Sequence, residues 1–212
     1  MADAGGPLTG IRVVEVGGLV SAPYAGKLLA DLGADVVKIE PPNGGDPARL
    51  RGPFPGDRPD PDASGLYLYL NTNKRGITLD LTSGRDRDLF DRLVGRCDVL
   101  LHNVHPLERA AHGLDYERLA TLNPRLVMAS IAPFGSRGPH ARHRAADLVS
   151  WCAGGLATLN GDPTHPELPP LKAYGDQAGY QAGLNAAVPV VGALFERLQS
   201  GPRDLLPNRL SF

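Results

Sequence analysis

Cysteine is scarce in this chain of 212 residues, limited to Cys97 and Cys152. Two thiols make neither a disulfide framework nor a metal cluster. His102, His105, His112, His140 and His165 show no metal-ligand spacing with acidic or cysteine partners either. Neither sign of charge dominates: 22 Lys and Arg face 23 Asp and Glu, a formal net charge of −1. That balance gives no electrostatic reason to expect nucleic acid or an anionic membrane as partner. No apolar run reaches transmembrane length, and the opening MADAGGPLTG is not a signal peptide. These absences predict a cytoplasmic protein without a bound metal. What remains is ordinary for a soluble globular chain, with 42% hydrophobic and 21% charged residues, and it suffices for one large domain or two small ones. Glycine and proline are plentiful, at 26 and 20, and predict many connecting loops.

The stretch Leu8 to Glu40 organises the rest. Ile11–Val16 has the β-branched content of a buried strand, and Gly17 and Gly18 break it with a tight turn. From Ala22 to Leu32 the apolar residues Tyr24, Leu28, Leu29 and Leu32 recur at helical spacing. Pro23 sits in the first turn, where its missing N–H costs nothing. Gly33 closes the helix, and Val36–Glu40 reads as the next strand. Such strand–turn–helix–strand units build parallel sheets and place a ligand over the first turn, at the start of the helix. Glu40 lies where dinucleotide-binding folds carry a ribose-binding acid. However, Gly17–Ala22 lacks the G-x-G-x-x-G fingerprint, which argues against NAD. A structural unit with no ligand at the turn also fits these residues.

Further on, Pro41–Ser64 has no periodicity, and a loop this long is usually functional or disordered. Leu66–Leu70 fits a helix or a short strand. Asn73–Gly76 reads as a turn before a strand at Ile77–Leu81. Ser83 can cap a helix running to Gly95, with Leu89, Phe90, Leu93 and Val94 facing inward. Strands at Asp98–Asn103 and Leu126–Ile131 bracket short helices at Pro106–Ala111 and Tyr116–Leu122. Pro133–Arg144 is a basic loop. Ala145–Leu159 reads as a small-residue helix holding Trp151 and Cys152, the latter a packing thiol rather than a nucleophile. A Pro-rich connection leads to Gly175-Asp176, and a Gly- and Ala-rich helix follows from Gln177 to Leu198, with Gly183 and Pro189 as candidate kinks.

Several motifs fall in a telling order: Leu8–Glu15, Ala22-Pro23 followed by Leu29–Glu40, Gly45-Asp46 with Arg49, Asn73–Arg75, Leu79–Leu81, Asn123–Val127, Phe134–Pro139 and Gly175-Asp176. Together they resemble the family III CoA-transferases of the CaiB/BaiF type, which include formyl-CoA transferases, carnitine-type CoA-transferases and α-methylacyl-CoA racemases. The resemblance implies an α/β fold with a Rossmann-like, mostly parallel sheet, like the N-terminal part of the family's large domain. Residues 1–200 correspond to that CoA-binding domain, and 201–212 to a tail or linker. Family members are usually about twice this length and form interlocked dimers, so a homodimer or a complementary subunit is also implied.

By the same resemblance Asp176 occupies the position of the nucleophilic carboxylate. Such a carboxylate attacks an acyl-CoA thioester and passes CoA to an acceptor acid through anhydride and aspartyl thioester intermediates. From pattern alone, Asp176 is also a good N-cap for the helix it precedes. Leu19, Val20, Ser21 and Ala22 are expected to meet CoA partly through their backbone, with Asn103 beside it. Arg49, Lys74, Arg75 and Arg144 are candidates for its phosphates, which call for charge-assisted hydrogen bonds. The implied partners are thus an acyl-CoA, with CoA the cofactor and no metal, and a small carboxylic acid. Basic residues common in the family are replaced at Pro41, at His105 and ahead of Gly113. The racemase branch needs a histidine directly before the position of Asp147. Ala146 stands there, with His143 three residues away, which disfavours racemisation. The non-catalytic alternative is a CoA-binding or assembly subunit.

Overall fold

The computed structural model describes residues 5–200 and 209–211. Its strands are β1 (Arg12–Val16), β2 (Asp35–Glu40), β3 (Lys74–Thr78), β4 (Val99–His102), β5 (Val127–Ser130) and β6 (Arg209–Ser211). They form one sheet in the order β3-β2-β1-β4-β5-β6, with every neighbouring pair parallel. The helices are α1 (Ser21–Asp31), α2 (Gly65–Leu70), α3 (Gly84–Val94), α4 (Tyr116–Leu122), α5 (Asp147–Ala153), α6 (Leu156–Leu159) and α7 (Gln177–Ser200). The central strands β4 and β5 are buried along their whole length. That is why they read as unbroken apolar runs rather than alternating ones.

Successive strand residues point to opposite faces and so divide the core in two. Val13, Leu101 and Ala129 face α1 and α7, meeting Ala25, Leu29, Ala186 and Val190. Val14, Leu100 and Met128 face the other side, where Phe90 and Val94 of α3 and Leu119 of α4 cover them. The chain winds outward from β1 through β2 to β3, then returns to β4 on the other side of β1. The strand order therefore reverses between β1 and β4.

Several local expectations change. The strand expected at Ile77–Leu81 lies at Lys74–Thr78, because Asn73 alone takes the left-handed turn, at φ +63°, and Lys74 already pairs with Val36. Leu66–Leu70 is helical, its start held by Ser64 Oγ accepting from the Tyr67 N–H at 3.1 Å. The single helix read across Ala145–Leu159 is two, broken at Gly154-Gly155, where Gly155 takes φ +79°. Residues 106–111 form turns only; so short a segment does not repay helix nucleation. On α1 the buried side is Ala22, Ala25, Gly26, Leu29 and Ala30, while Leu32 is exposed. Ala22 and Ala25 lie inward because α7 packs against them, and Gly26 passes over the Glu15 carboxylate. Part of the segment read as a tail, Arg209–Ser211, pairs in parallel with β5. Cys152 is exposed and Cys97 is the buried thiol. Among the described residues no helix is long and apolar enough to cross a membrane.

Candidate active site

Where β1 and β4 part, a cavity of about 640 Å³ opens beyond their carboxyl ends, the place where open α/β sheets take ligands. Val16, Ile39, the loop Gly17–Leu19 and Asp46-Pro47 form one side. Asn103–His105, Glu108, His112 and Arg144 contribute to the rest.

Two distant side chains shape the loop. Asn103 accepts the Gly18 N–H at 3.2 Å and donates to Gly18 O at 2.8 Å and to Ser21 Oγ at 3.0 Å. Asp46 Oδ1 accepts the N–H groups of Leu19 and Ala48, both at 2.8 Å. Leu19 itself sits at φ +59°, a left-handed conformation that is costly for a residue with a Cβ. The glycines before it are required for close approach. A Cβ on Gly17 would lie 2.1 Å from Asn103 Oδ1, and one on Gly18 would lie 2.8 Å from Asp46 Oδ1.

Behind the loop runs a buried chain of charges. Lys38 Nζ contacts Asp46 Oδ2 at 2.8 Å, Glu15 Oε1 at 3.0 Å and the Gly17 carbonyl at 2.9 Å. Glu15 Oε2 in turn meets Lys74 Nζ at 2.8 Å, and Lys74 also donates to Pro23 O and Asn71 Oδ1. Burial would drive Lys38 down, but two carboxylates outweigh it and hold its pKa above the usual value. Lys74 is buried with a share in only one carboxylate and with Lys38 nearby. Its pKa falls to about 8. Glu40 is grasped by Arg49 (Nε–Oε2 2.7 Å, Nη2–Oε1 2.9 Å), by the Tyr67 hydroxyl and by the Asp46 N–H at 2.8 Å. Burial pushes that carboxyl up, yet the hydrogen bonds win and hold it at about 2. Glu40 is therefore tied to protein groups and is not presented to a ribose.

Asp176 stands at the entrance to α7. Its carboxylate does not cap the helix. Asp147 Oδ1 accepts the Gly179 N–H at 3.0 Å while its other oxygen pairs with Lys172 at 2.9 Å. Asp176 Oδ2 instead meets Arg51 Nη2 at 2.9 Å, the carboxylate 22% and the arginine 50% exposed. Gln177 and Tyr180 line a second hollow of about 460 Å³ with Tyr24, Tyr69, Gln181 and Leu184. Tyr24 and Tyr180 meet edge to face at 4.9 Å. Burial, followed by Tyr69 and the charge of Asp176, raises the Tyr180 hydroxyl pKa. The start of α7 also touches the β1–α1 loop, since the Cβ position of Gly179 lies 3.1 Å from Val20 Cβ.

Of the residues singled out by sequence, Leu19, Asn103 and Arg144 line one cavity. Val20, Ser21 and Ala22 lead from it into α1, whose first-turn N–H groups have no acceptor inside the helix. Arg144 is exposed and paired with Glu108. Arg49 and Lys74 are committed to Glu40 and Glu15, and Arg75 to Asp35 on the β3 side of the sheet. None of these three lines the cavity. Sequence reasoning gave no role to Glu15, Lys38 or Asp46. For Glu15 and Lys38 the available signal was a charged residue flanked by apolar ones in the interior of each strand, RVVEV and DVVKIE.

A family model described as CoA-transferase family III matches residues 8–206. The chain is 37% identical over 197 residues to a succinate–glutarate CoA-transferase of Agrobacterium fabrum, covering 92% of this chain and 48% of that protein. It is 35% identical over 201 residues to the protein named succinyl-CoA–L-malate CoA-transferase alpha subunit from Chloroflexus aurantiacus, covering 94% and 46%. Among solved structures, a CaiB/BaiF family protein from Brucella suis superposes with a TM-score of 0.85 at 32% identity, covering 98% of this chain and 53% of that one. The chain spans about half the length of the curated relatives it matches.

Proposed function

The chain belongs to CoA-transferase family III, and from that premise we propose that it serves transfer of CoA between an acyl-CoA and a carboxylic acid, with Asp176 as nucleophile. The observation that carries the reading is the packing of Gly179 on Val20. It sets the helix that begins just after Asp176 against the loop that frames the switch-point cavity. The loop residues Leu19–Ala22 and Asn103 hold the CoA portion there. Arg144 exchanges Glu108 for a phosphate, since among the described residues it is the one arginine lining the cavity.

Asp176 attacks the thioester carbonyl, forming a mixed anhydride and expelling the CoA thiolate. The thiolate attacks the aspartyl carbonyl of that anhydride, releasing the first acid and leaving an aspartyl-CoA thioester. The acceptor carboxylate repeats the two steps in reverse, so bonds and charges balance and Asp176 is regenerated. Arg51 aims the carboxylate between turnovers. The succinyl, malate and glutarate chemistry of the relatives' names supports a short dicarboxylic acid as donor or acceptor.

Incubation with succinyl-CoA followed by intact-mass analysis tests this. A covalent adduct on the wild type that is absent from Asp176→Ala is the expected result. No adduct on a chain that still binds CoA overturns the catalytic reading in favour of an assembly subunit.

The reading includes a partner for α7. Its buried side is Gly183, Ala186, Ala187, Val190 and Leu194, yet Leu184, Val188, Phe195 and Leu198 form a second, exposed stripe. The stripe repeats at alternating four- and three-residue steps if the half-covered Val191 is included, the spacing of helix-pairing seams. A second copy of the chain covers it, because one such stripe is self-complementary about a two-fold axis.

A further inference from the structure

Asp46 has no place in the reaction above, yet it is 1% exposed and its side chain reaches β2 and the β1–α1 loop as well as its own turn. One oxygen holds Leu19 and Ala48 by their N–H groups, and the other lies 2.8 Å from Lys38 Nζ. We propose that Asp46 is a positioning residue that holds the β1–α1 loop in its CoA-binding form by fixing Leu19 in the left-handed conformation. The inference rests on the reading that this loop meets CoA.

The physical case starts with Leu19. A leucine at φ +59° is strained, and such strain persists only where the surroundings over-determine it. The surroundings here are two hydrogen bonds in succession: Asn103 on the Gly18 N–H and Asp46 on the Leu19 N–H. Asn103 only anchors the base of the turn, because its bonds end on Gly18 and Ser21. Asp46 acts at the strained residue itself. Because Leu19, Gly18 and Asp46 all line the cavity, a relaxed Leu19 would change its wall.

Asp46 is in turn held from behind. Lys38 is fixed by Glu15, and the Asp46 N–H is fixed by Glu40. A carboxylate clamped on both sides transmits its position to the loop, as pre-organisation of a binding site requires. The close pass of Gly18 to Asp46 Oδ1 adds that no side chain fits between clamp and loop.

The test is calorimetric titration of CoA into the wild type, Asp46→Asn and Asp46→Ala, with melting temperatures recorded alongside. Asparagine keeps an oxygen for the Leu19 and Ala48 N–H groups but loses the charge facing Lys38. Alanine loses both. A positioning role predicts that alanine weakens CoA binding by about tenfold or more, and that asparagine recovers most of this loss despite a lowered melting temperature. If both variants follow melting temperature alone, or alanine binds CoA like the wild type, the inference fails while the CoA reading stands. If the wild type binds no CoA, both fail.

Should Asp46→Ala not fold, Leu19→Ala and Leu19→Gly replace it. Both remove the side chain, but only glycine frees the backbone at φ +59°. With Asp46 in place, glycine takes the left-handed conformation without strain, so it is expected to be the more stable of the two and to bind CoA at least as tightly. A glycine variant that is less stable or a weaker binder than the alanine one overturns the proposal.

Discussion

Glu40 is a carboxyl whose titration the fold displaces. Its carboxyl is held at about 2 against an ordinary 4.5 by Arg49, Tyr67 and the Asp46 N–H, in spite of burial. A carboxyl depressed on folding adds stability that is present above its unfolded value and lost as pH falls through its folded one. The stability advantage of wild type over Glu40→Gln is therefore expected to be full above pH 4.5 and to shrink toward pH 2, as read from urea midpoints at several pH values. At neutral pH that advantage should be on the order of 2 kcal/mol, below that of a fully buried pair because Arg49 keeps 22% of its side chain in water. The thiols differ in a similar way. Burial pushes Cys97 up to about 12, while Cys152 is exposed. A disulfide reagent should label one thiol in the folded protein and the second only after unfolding, and Cys152→Ser should abolish the fast phase.

At the scale of elements, the α1–α7 contact decides most. Helices normally keep large side chains between them, but here Ala22 and Ala25 face Gly183 and Ala186. A Cβ on Gly183 would fall 2.6 Å from the Ser21 carbonyl. Gly183→Ala is expected to cost about 1–3 kcal/mol in denaturant unfolding and to weaken CoA binding with it, since Ser21 begins at the edge of the loop. The composition of α7, dense in Gly and Ala, carried this information. The apolar spacing of Tyr24, Leu28, Leu29 and Leu32 marked a face that shares Leu29 with the buried side of α1 but leaves Leu32 exposed. Periodicity marks where large apolar residues lie, and the close neighbour preferred the small ones.

For the whole molecule, α7 is apolar on two sides, and a helix of that kind is normally buried. Only one side is covered by α1 and the sheet. Phe195 is 63% exposed and Leu198 75%, so replacing them costs the monomer little, within about 0.5 kcal/mol each. Light scattering is expected to give a mass above the 22.4 kDa of one chain, and Phe195→Glu with Leu198→Glu should return it to that value. A wild type that already scatters as a monomer at high concentration would refute self-association through this stripe.

The sequence by itself determined the α/β class, the parallel unit around Leu8–Glu40 and most element types, because periodicity, β-branching and glycine placement act over a few neighbours. It also placed Asp176 at a helix start, and the order of its motifs pointed to the family. The tertiary structure alone decided which charges meet. Glu15 and Lys38 are 23 residues apart and Lys74 is 59 from Glu15, and only the sheet register and the packing of α1 bring them together. The same holds for Arg49 and Lys74, basic residues that the resemblance offers to a phosphate and the fold gives to carboxylates. Asp46 and Leu19 are 27 residues apart. Their pairing depends on the loop after β2 folding back over the end of β1, a long-range closure with no local signature.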